Sequence, residues 1–130
     1  TKTRLIMNYW ARAGIDFKTV GISKIKSVHG RTNQEITRIV FSAVEEVTTV
    51  EYDQIIGTKR NKEIRQARQI VHYFLKKYTH YSLEDIGKQT RNDHATVLHS
   101  IKVVELDCQD NIYRLMVEKI EDKIKFDINK

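Results

Sequence analysis

The residues whose types and spacing best fit a chemical task are Asn92, Asp93, His94, Ala95 and Thr96. An aspartate accepts a hydrogen bond from cytosine, an asparagine pairs with adenine, and small apolar groups contact the thymine methyl. The apolar residues that follow recur at helical spacing, which places these five at the start of a helix. In helix-turn-helix proteins, the first turn of the second helix reaches base edges in the major groove. The pattern therefore predicts a helix whose start reads DNA bases.

Two short helices joined by a polar turn are predicted between Ser82 and Ser100. Ser82 can cap the first helix, with Asp85 completing a capping box, and Gly87 permits a close approach or a stop. Asn92 is predicted to cap the second helix. The residues expected to face inward are Leu83, Ile86, Val97, Leu98, Ile101 and Val104.

This segment resembles the C-terminal DNA-binding domain of DnaA, the bacterial replication initiator. The family signature S-L-P-x-I-G, a turn, and G-G-R-D-H-T-T-V-x-H-A is matched at Ser82, Leu83, Ile86, Gly87, Asp93, His94, Thr96, Val97, Leu98 and His99. The family's basic K-R-R loop is similar to Lys59 and Arg60, and its A-R-Q-I helix is similar to residues 67–70. Three motifs in the family's order and nearly its spacing make the resemblance specific over residues 39–106. It implies an all-α fold with a helix-turn-helix that binds double-stranded DNA sequence-specifically.

The resemblance also implies roles for individual residues. Arg60 is similar to the family residue that enters the minor groove, where narrow A-T tracts attract guanidinium groups. Contacts to phosphates, which position a protein without reading sequence, are implied for Asn61, Arg68, Gln69, Lys76, Thr96 and His99. The remaining implied DNA contacts are Lys59 and Lys62 in the basic loop and Leu83, Arg91, Asn92, Asp93, His94 and Ala95 around the turn. Arg68 and Lys76 lie eight residues apart, so they are expected to share one basic helix face.

The chain departs from the family pattern at the turn. Thr90, Arg91 and Asn92 stand where the family has Gly-Gly-Arg, and the turn is one residue shorter. Glu84 replaces the family proline and Ala95 the first threonine. We therefore expect a changed target sequence. The 130 residues contain no G-x-x-x-x-G-K-[ST] phosphate loop, so the expected form is a module without the initiator's ATPase.

Positive charge is concentrated on the segment that carries the motifs. The net charge is +6, and residues 58–102 alone contain ten lysines and arginines against four carboxylates, a balance of +6. Residues 31–57 carry −3, residues 103–130 carry −2, and residues 1–30 carry +5. Such a field attracts phosphate backbones. A solvated lysine-rich surface is the alternative explanation of the charge alone.

The rest of the chain reads as one helical domain over residues 32–130. A capping box at Thr32 and Glu35 opens a first helix, a short helical turn follows around residues 50–56, and Asn61 caps the longest helix, which runs to about Tyr78. The long helix is expected to bury Ile64, Ala67, Val71, Phe74, Leu75 and Tyr78. A last helix starts at Asp110 or Asn111, and in it Ile112, Leu115, Met116, Ile120 and Ile124 recur at helical spacing.

Residues 1–31 form an N-terminal extension with mixed signals. Residues 15–19 alternate like a strand, whereas Leu5, Ile6, Tyr9 and Trp10 fit a helical turn. Packing on the helical body, a basic arm along a DNA groove, and a contact to a protein partner or a second copy are all left open. No early apolar run is long enough for a signal peptide or a membrane span. The lone Cys108 fits a reducing cytoplasm.

Other classes of function are less favoured. His94 and His99 are five residues apart, which is not the spacing of two zinc ligands on one helix face, and there is no C-x-x-C. Asp93 and His94 point about a hundred degrees apart on a helix, so they do not form an acid/base pair. We expect no enzyme activity, metal, cofactor, small-molecule substrate or membrane association. The competing hypothesis is a protein-interaction module that kept the fold and lost DNA readout, docking through the N-terminal arm and the acidic residues Glu45, Glu46, Glu51 and Glu84.

Overall fold

The computed structural model describes residues 30–130, a range that contains α-helices and no strand. The helices are α1 Asn33–Thr48, α2 Tyr52–Ile55, α3 Lys62–Tyr78, α4 Leu83–Thr90, α5 His94–Asp107 and α6 Asn111–Ile128. The predicted all-α fold is thereby confirmed for this part of the chain. The predicted N-terminal extension lies outside the described residues up to residue 29.

Helix α3 forms the centre of the fold. All six of its apolar residues predicted to be buried are buried, because they recur every three or four positions along one face. This face packs against α1, α2, α4 and α5, and α1 also packs against α6. The core is therefore continuous from the C-terminal helix to the helix-turn-helix.

The two ends of the described chain are tied together by Arg31. Its guanidinium donates hydrogen bonds to the carbonyl oxygens of Asp127, Ile128 and Lys130 at 3.2 to 3.4 Å, which supplies partners for carbonyls that a helix end leaves unpaired. The predicted capping box at the start of α1 is present. The Thr32 hydroxyl oxygen accepts from the amide of Glu35 at 3.1 Å, and the Glu35 carboxylate accepts from the amide of Thr32 at 3.4 Å.

The buried residues of α6 differ from the set of apolar residues that recur at helical spacing in its sequence. Its buried residues are Tyr113, Val117, Ile120, Ile124 and Ile128. Ile120 and Ile124 belong to both sets, but Ile112 and Leu115 are 82% and 62% exposed. The helix begins after Asp110, whose carboxylate accepts from the amide of Tyr113 at 3.0 Å. This start turns Tyr113 inward and therefore turns Ile112 outward. Within residues 30–130, no helix combines the length and apolar character needed to cross a bilayer.

Candidate nucleic-acid interface

Helices α4 and α5 are joined by a three-residue turn, Arg91 to Asp93. Arg91 adopts a left-handed conformation with φ of 62°, which is uncommon for a residue other than glycine. The amides of Arg91 and Asn92 both donate to the carbonyl oxygen of Gly87, the latter at 2.9 Å. These two bonds end α4 at Thr90 and bring the start of α5 next to the end of α4.

Asp93, and not Asn92, caps α5. The Asp93 carboxylate accepts a hydrogen bond from the amide of Thr96 at 2.8 Å, whereas the Asn92 side-chain oxygen accepts from the Thr90 hydroxyl at 2.8 Å. The prediction that Asn92 is the cap is wrong because that side chain is engaged by α4. Hydrogen bonds from Thr96 hold the pKa of the Asp93 carboxyl below its usual value, so this group is an ionised acceptor at neutral pH.

The first turn of α5 faces solvent. Asp93, His94, Ala95, Thr96 and His99 are all exposed. The interpretation of these residues as a surface-facing group is therefore confirmed, although their contacts to DNA stay predictions.

Leu98 also lies on this exposed face, although the sequence predicted it to be buried. The buried residues of α5 are Val97, Ser100 and Val104, and Leu98 is 42% exposed. It follows His94 by four residues, the spacing of neighbours on one helix face. Leu98 is thus an apolar surface residue that the sequence interpretation missed. No signal in the sequence separates it from Val97, because both apolar residues fit the helical spacing.

The basic loop before α3 is at the surface. Lys59, Arg60, Asn61 and Lys62 are exposed. Asn61 occupies the predicted N-cap position of α3, but its side chain makes no capping hydrogen bond. Gln69, Lys76 and Leu83 are partly buried. Lys59, Arg60 and Lys62 thus place three positive charges of the loop at the surface.

Arg68 does not share an exposed face with Lys76, so that prediction is wrong. Arg68 is only 4% exposed. Its Nε donates to the carbonyl oxygen of Ile55 at 2.6 Å, and one terminal nitrogen lies 3.1 to 3.3 Å from those of Gln54, Gly57 and Lys59. Burial lowers the pKa of this guanidinium, which nevertheless stays charged because arginine is not deprotonated in proteins. Arg68 therefore supports the basic loop from inside instead of presenting a charge to solvent.

A second polar residue of α3, His72, is completely buried behind the turn. Its ring nitrogens lie 2.8 Å from the Ser100 hydroxyl and 2.6 Å from the Thr90 hydroxyl. Burial, and then the charge of Arg68, lower the pKa of His72 to about 4. No sequence motif pointed to it, because its partners come from two other helices. Among the described residues, no cluster of three His, Cys, Asp or Glu is arranged to hold a metal.

Two short helices across a tight turn, with the first turn of the second exposed, define a helix-turn-helix domain. Residues 37–104 match the model of the bacterial DnaA protein helix-turn-helix. The chain belongs to this family.

Three curated relatives are similar to this chain over a minor part of their own length. The chromosomal replication initiator protein DnaA of Bacteroides thetaiotaomicron is 34% identical over 128 positions, covering 93% of this chain and 27% of that protein. The protein of the same name from Kosmotoga olearia is 30% identical over 110 positions, covering 78% and 25%. That of Bacteroides fragilis is 45% identical over 73 positions, covering 54% and 15%. The chain thus spans about a quarter or less of the length of these relatives.

Proposed function

We propose that this protein binds double-stranded DNA sequence-specifically, with the start of α5 in the major groove and the Arg60 loop in the adjacent minor groove. The observation that carries the proposal is the exposed first turn of α5, where Asp93 is the cap and His94, Ala95 and Thr96 follow. One Asp93 oxygen accepts from Thr96, and the other can accept from a cytosine amino group. The cap thus fixes the carboxylate that reads the base.

The charge of the surface supports nucleic acid as the partner. Lys59, Arg60, Lys62, Lys88 and Arg91 are exposed cations on the loop, on α4 and at the turn. Cations on such a surface displace counterions from the phosphate backbone, which gives affinity that does not depend on sequence. Contacts of α5 with base edges then add discrimination between DNA sequences.

The biological role proposed here is occupation of sites of the kind that the replication initiator recognises. It follows from family membership and from the relatives, which are named chromosomal replication initiator proteins. Binding such sites can regulate replication or transcription. The turn carries Arg91 and Asn92 where the family has Gly-Gly-Arg, and Ala95 replaces a threonine. The preferred site is therefore expected to differ from the family's at the bases nearest this corner.

Selection of bound duplexes from a random pool tests the proposal, followed by titration of two matched variants. Asp93→Ser keeps a side-chain oxygen that can cap α5 but removes the carboxylate proposed to read cytosine. Asp110→Ser makes the same change at the cap of α6, away from the proposed interface. We expect Asp93→Ser to relax preference at one or two base pairs and Asp110→Ser to leave the consensus unchanged.

Two results would contradict the proposal in different ways. Equal consensus sequences for wild type, Asp93→Ser and Asp110→Ser would show that α5 does not read bases through its cap. Failure to enrich any sequence, together with binding to a protein partner, would favour the alternative of an interaction module. The structure adds two exposed apolar residues to the acidic ones named for that alternative, Leu106 and Ile112, which are 63% and 82% exposed.

A further inference from the structure

A chain of hydrogen bonds, buried except at its last residue, runs through the helix-turn-helix. It starts at Ser100 of α5, passes through His72 of α3 to Thr90 of α4, and ends at Asn92 in the turn. The three contacts measure 2.8, 2.6 and 2.8 Å. Ser100 and Thr90 are 2% and 1% exposed, and His72 is fully buried. Four polar side chains thus connect three helices and the turn.

The protonation state of His72 determines which group donates and which accepts at each of these hydrogen bonds. The imidazole is neutral at pH 7 because burial lowers its pKa to about 4, and a neutral ring has one donor and one acceptor nitrogen. The Thr90 hydroxyl oxygen lies 2.8 Å from the Asn92 side-chain oxygen and 3.4 Å from the Gly87 carbonyl oxygen. With its one hydrogen on the nearer acceptor, it accepts from Nε2–H of His72, and Nδ1 then accepts from the Ser100 hydroxyl. Arg68 on the same helix is the charged group acting on the ring. The residues that face it from α4, α5 and the turn are Thr90, Ser100 and Asn92, none of which titrates.

The end of this chain lies next to the cap of α5. Asn92 is bound to Thr90 through its side chain and to Gly87 through its amide at 2.9 Å. Asp93 follows directly and fixes the first turn of α5. A buried polar group left without a partner is costly, so the network strongly favours one conformation of the turn. Readout of base edges requires side chains held to within about 0.5 Å.

We propose that His72 and Thr90 are positioning residues for base recognition, which set sequence discrimination through Asn92 without touching DNA. This inference rests on the proposed function of α5. It differs from a role in stability alone, because the two arms of the network are not equivalent. The Thr90 arm leads to the turn, whereas the Ser100 arm leads only into the body of α5. The two arms therefore offer a matched pair of substitutions.

The experiment compares Thr90→Val with Ser100→Ala, each of which removes one buried hydroxyl bonded to His72. Affinities for the selected duplex and for random duplex are measured at fixed salt, at a temperature at which circular dichroism shows both variants folded. We expect Thr90→Val to lower the ratio of the two affinities about tenfold, the size expected for the lost bond to Asn92 alone. Ser100→Ala should keep the wild-type ratio, although it also removes one hydrogen bond from His72. Thr90→Ser retains the hydroxyl and should keep the wild-type ratio. It also provides a second test if Thr90→Val does not fold.

Different outcomes separate this inference from the function on which it rests. If wild type does not distinguish the selected from the random duplex, the proposed function fails and this inference fails with it. If wild type discriminates but Thr90→Val and Ser100→Ala change the ratio equally, or neither changes it, the positioning role is overturned and DNA recognition stands. A loss of discrimination in Thr90→Ser would also overturn it, because the hydroxyl would then not be the cause.

Discussion

The Cα of Gly87 in α4 lies against the backbone of Asn92 in the turn, so closely that a Cβ at residue 87 would be 2.2 Å from the Asn92 carbonyl oxygen. A backbone atom cannot yield as a flexible side chain can, so α4 and the turn must move apart if residue 87 has a side chain. The close approach expected from the sequence at this glycine is therefore present, and it is made by backbone atoms.

Gly87→Ala is expected to destabilise the protein by about 1 to 3 kcal/mol, the range for overpacking a well-packed site. Urea unfolding followed by circular dichroism measures the change. Lys88→Ala is the control, because Lys88 is exposed on the same helix and surface substitutions usually change stability by less than about 0.5 kcal/mol. A Gly87→Ala protein as stable as Lys88→Ala would show that α4 and the turn are not in contact.

Arg68 and Lys76 are expected to respond differently to the same substitution. Arg68→Gln removes hydrogen bonds from a buried charged group to carbonyls of α2 and of the segment that leads to α3, so stability should fall by about 2 to 3 kcal/mol. Lys76→Gln should cost less stability than Arg68→Gln, because Lys76 is only half-buried, and it should flatten the salt dependence of DNA binding by about 0.9, the value for one phosphate contact. Unfolding and salt titrations on both variants provide the comparison. Equal stability losses would contradict the loop-supporting role of Arg68.

Protonation of His72 is expected to make the fold sensitive to acid. Its pKa is about 4 in the folded chain against 6.5 for an ordinary histidine. Between these values the unfolded chain binds a proton that the folded chain does not, so stability is complete above pH 6.5 and falls as the pH drops toward 4. The total loss is about 3 kcal/mol. In His72→Met this loss should be absent from urea unfolding at pH 7, 6 and 5. Parallel curves for the two proteins would show that His72 is not the group responsible.

Arg60 is expected to contribute to DNA affinity and not to folding. Arg60→Ala should weaken binding to the selected site by about 1 to 3 kcal/mol, the range for a specific base contact, with little change in melting temperature because the side chain is exposed. Arg114→Ala on α6 is the control, since Arg114 is also an exposed arginine but lies outside the basic loop. The minor-groove assignment is wrong if both variants bind the selected site equally well at fixed salt.

The sequence predicted those features that depend on local spacing. The apolar face of α3, the capping box at Thr32 and the order of the helices all follow from residues within a few positions of one another. The family motifs also placed the helix-turn-helix correctly. These features could be predicted because helical periodicity and capping are local properties.

The features that the sequence did not predict depend on contacts between distant residues. Arg68 is buried because α2 and the loop after it turn four carbonyl oxygens toward it, and no local pattern encodes that arrangement. His72 acquires its partners from positions 18 and 28 residues away. Leu98 was placed on the wrong face because two adjacent apolar residues, Val97 and Leu98, fit the same spacing. Asn92 and Asp93 are both good cap residues, and only the bond from Thr90 to Asn92 decides between them.

Sequence-specific DNA binding by this protein is tested most directly by measuring affinity for the selected duplex and for random duplex across a salt series. If the exposed cations of the loop, α4 and the turn contact phosphates, the logarithm of each affinity should fall linearly with the logarithm of salt concentration, by about 0.9 per phosphate neutralised. If α5 reads base edges, the selected duplex should bind at least about a thousandfold more tightly, the lower end for specific DNA-binding proteins. An affinity that does not change with salt would contradict the phosphate contacts, and equal affinity for both duplexes would contradict base readout by α5.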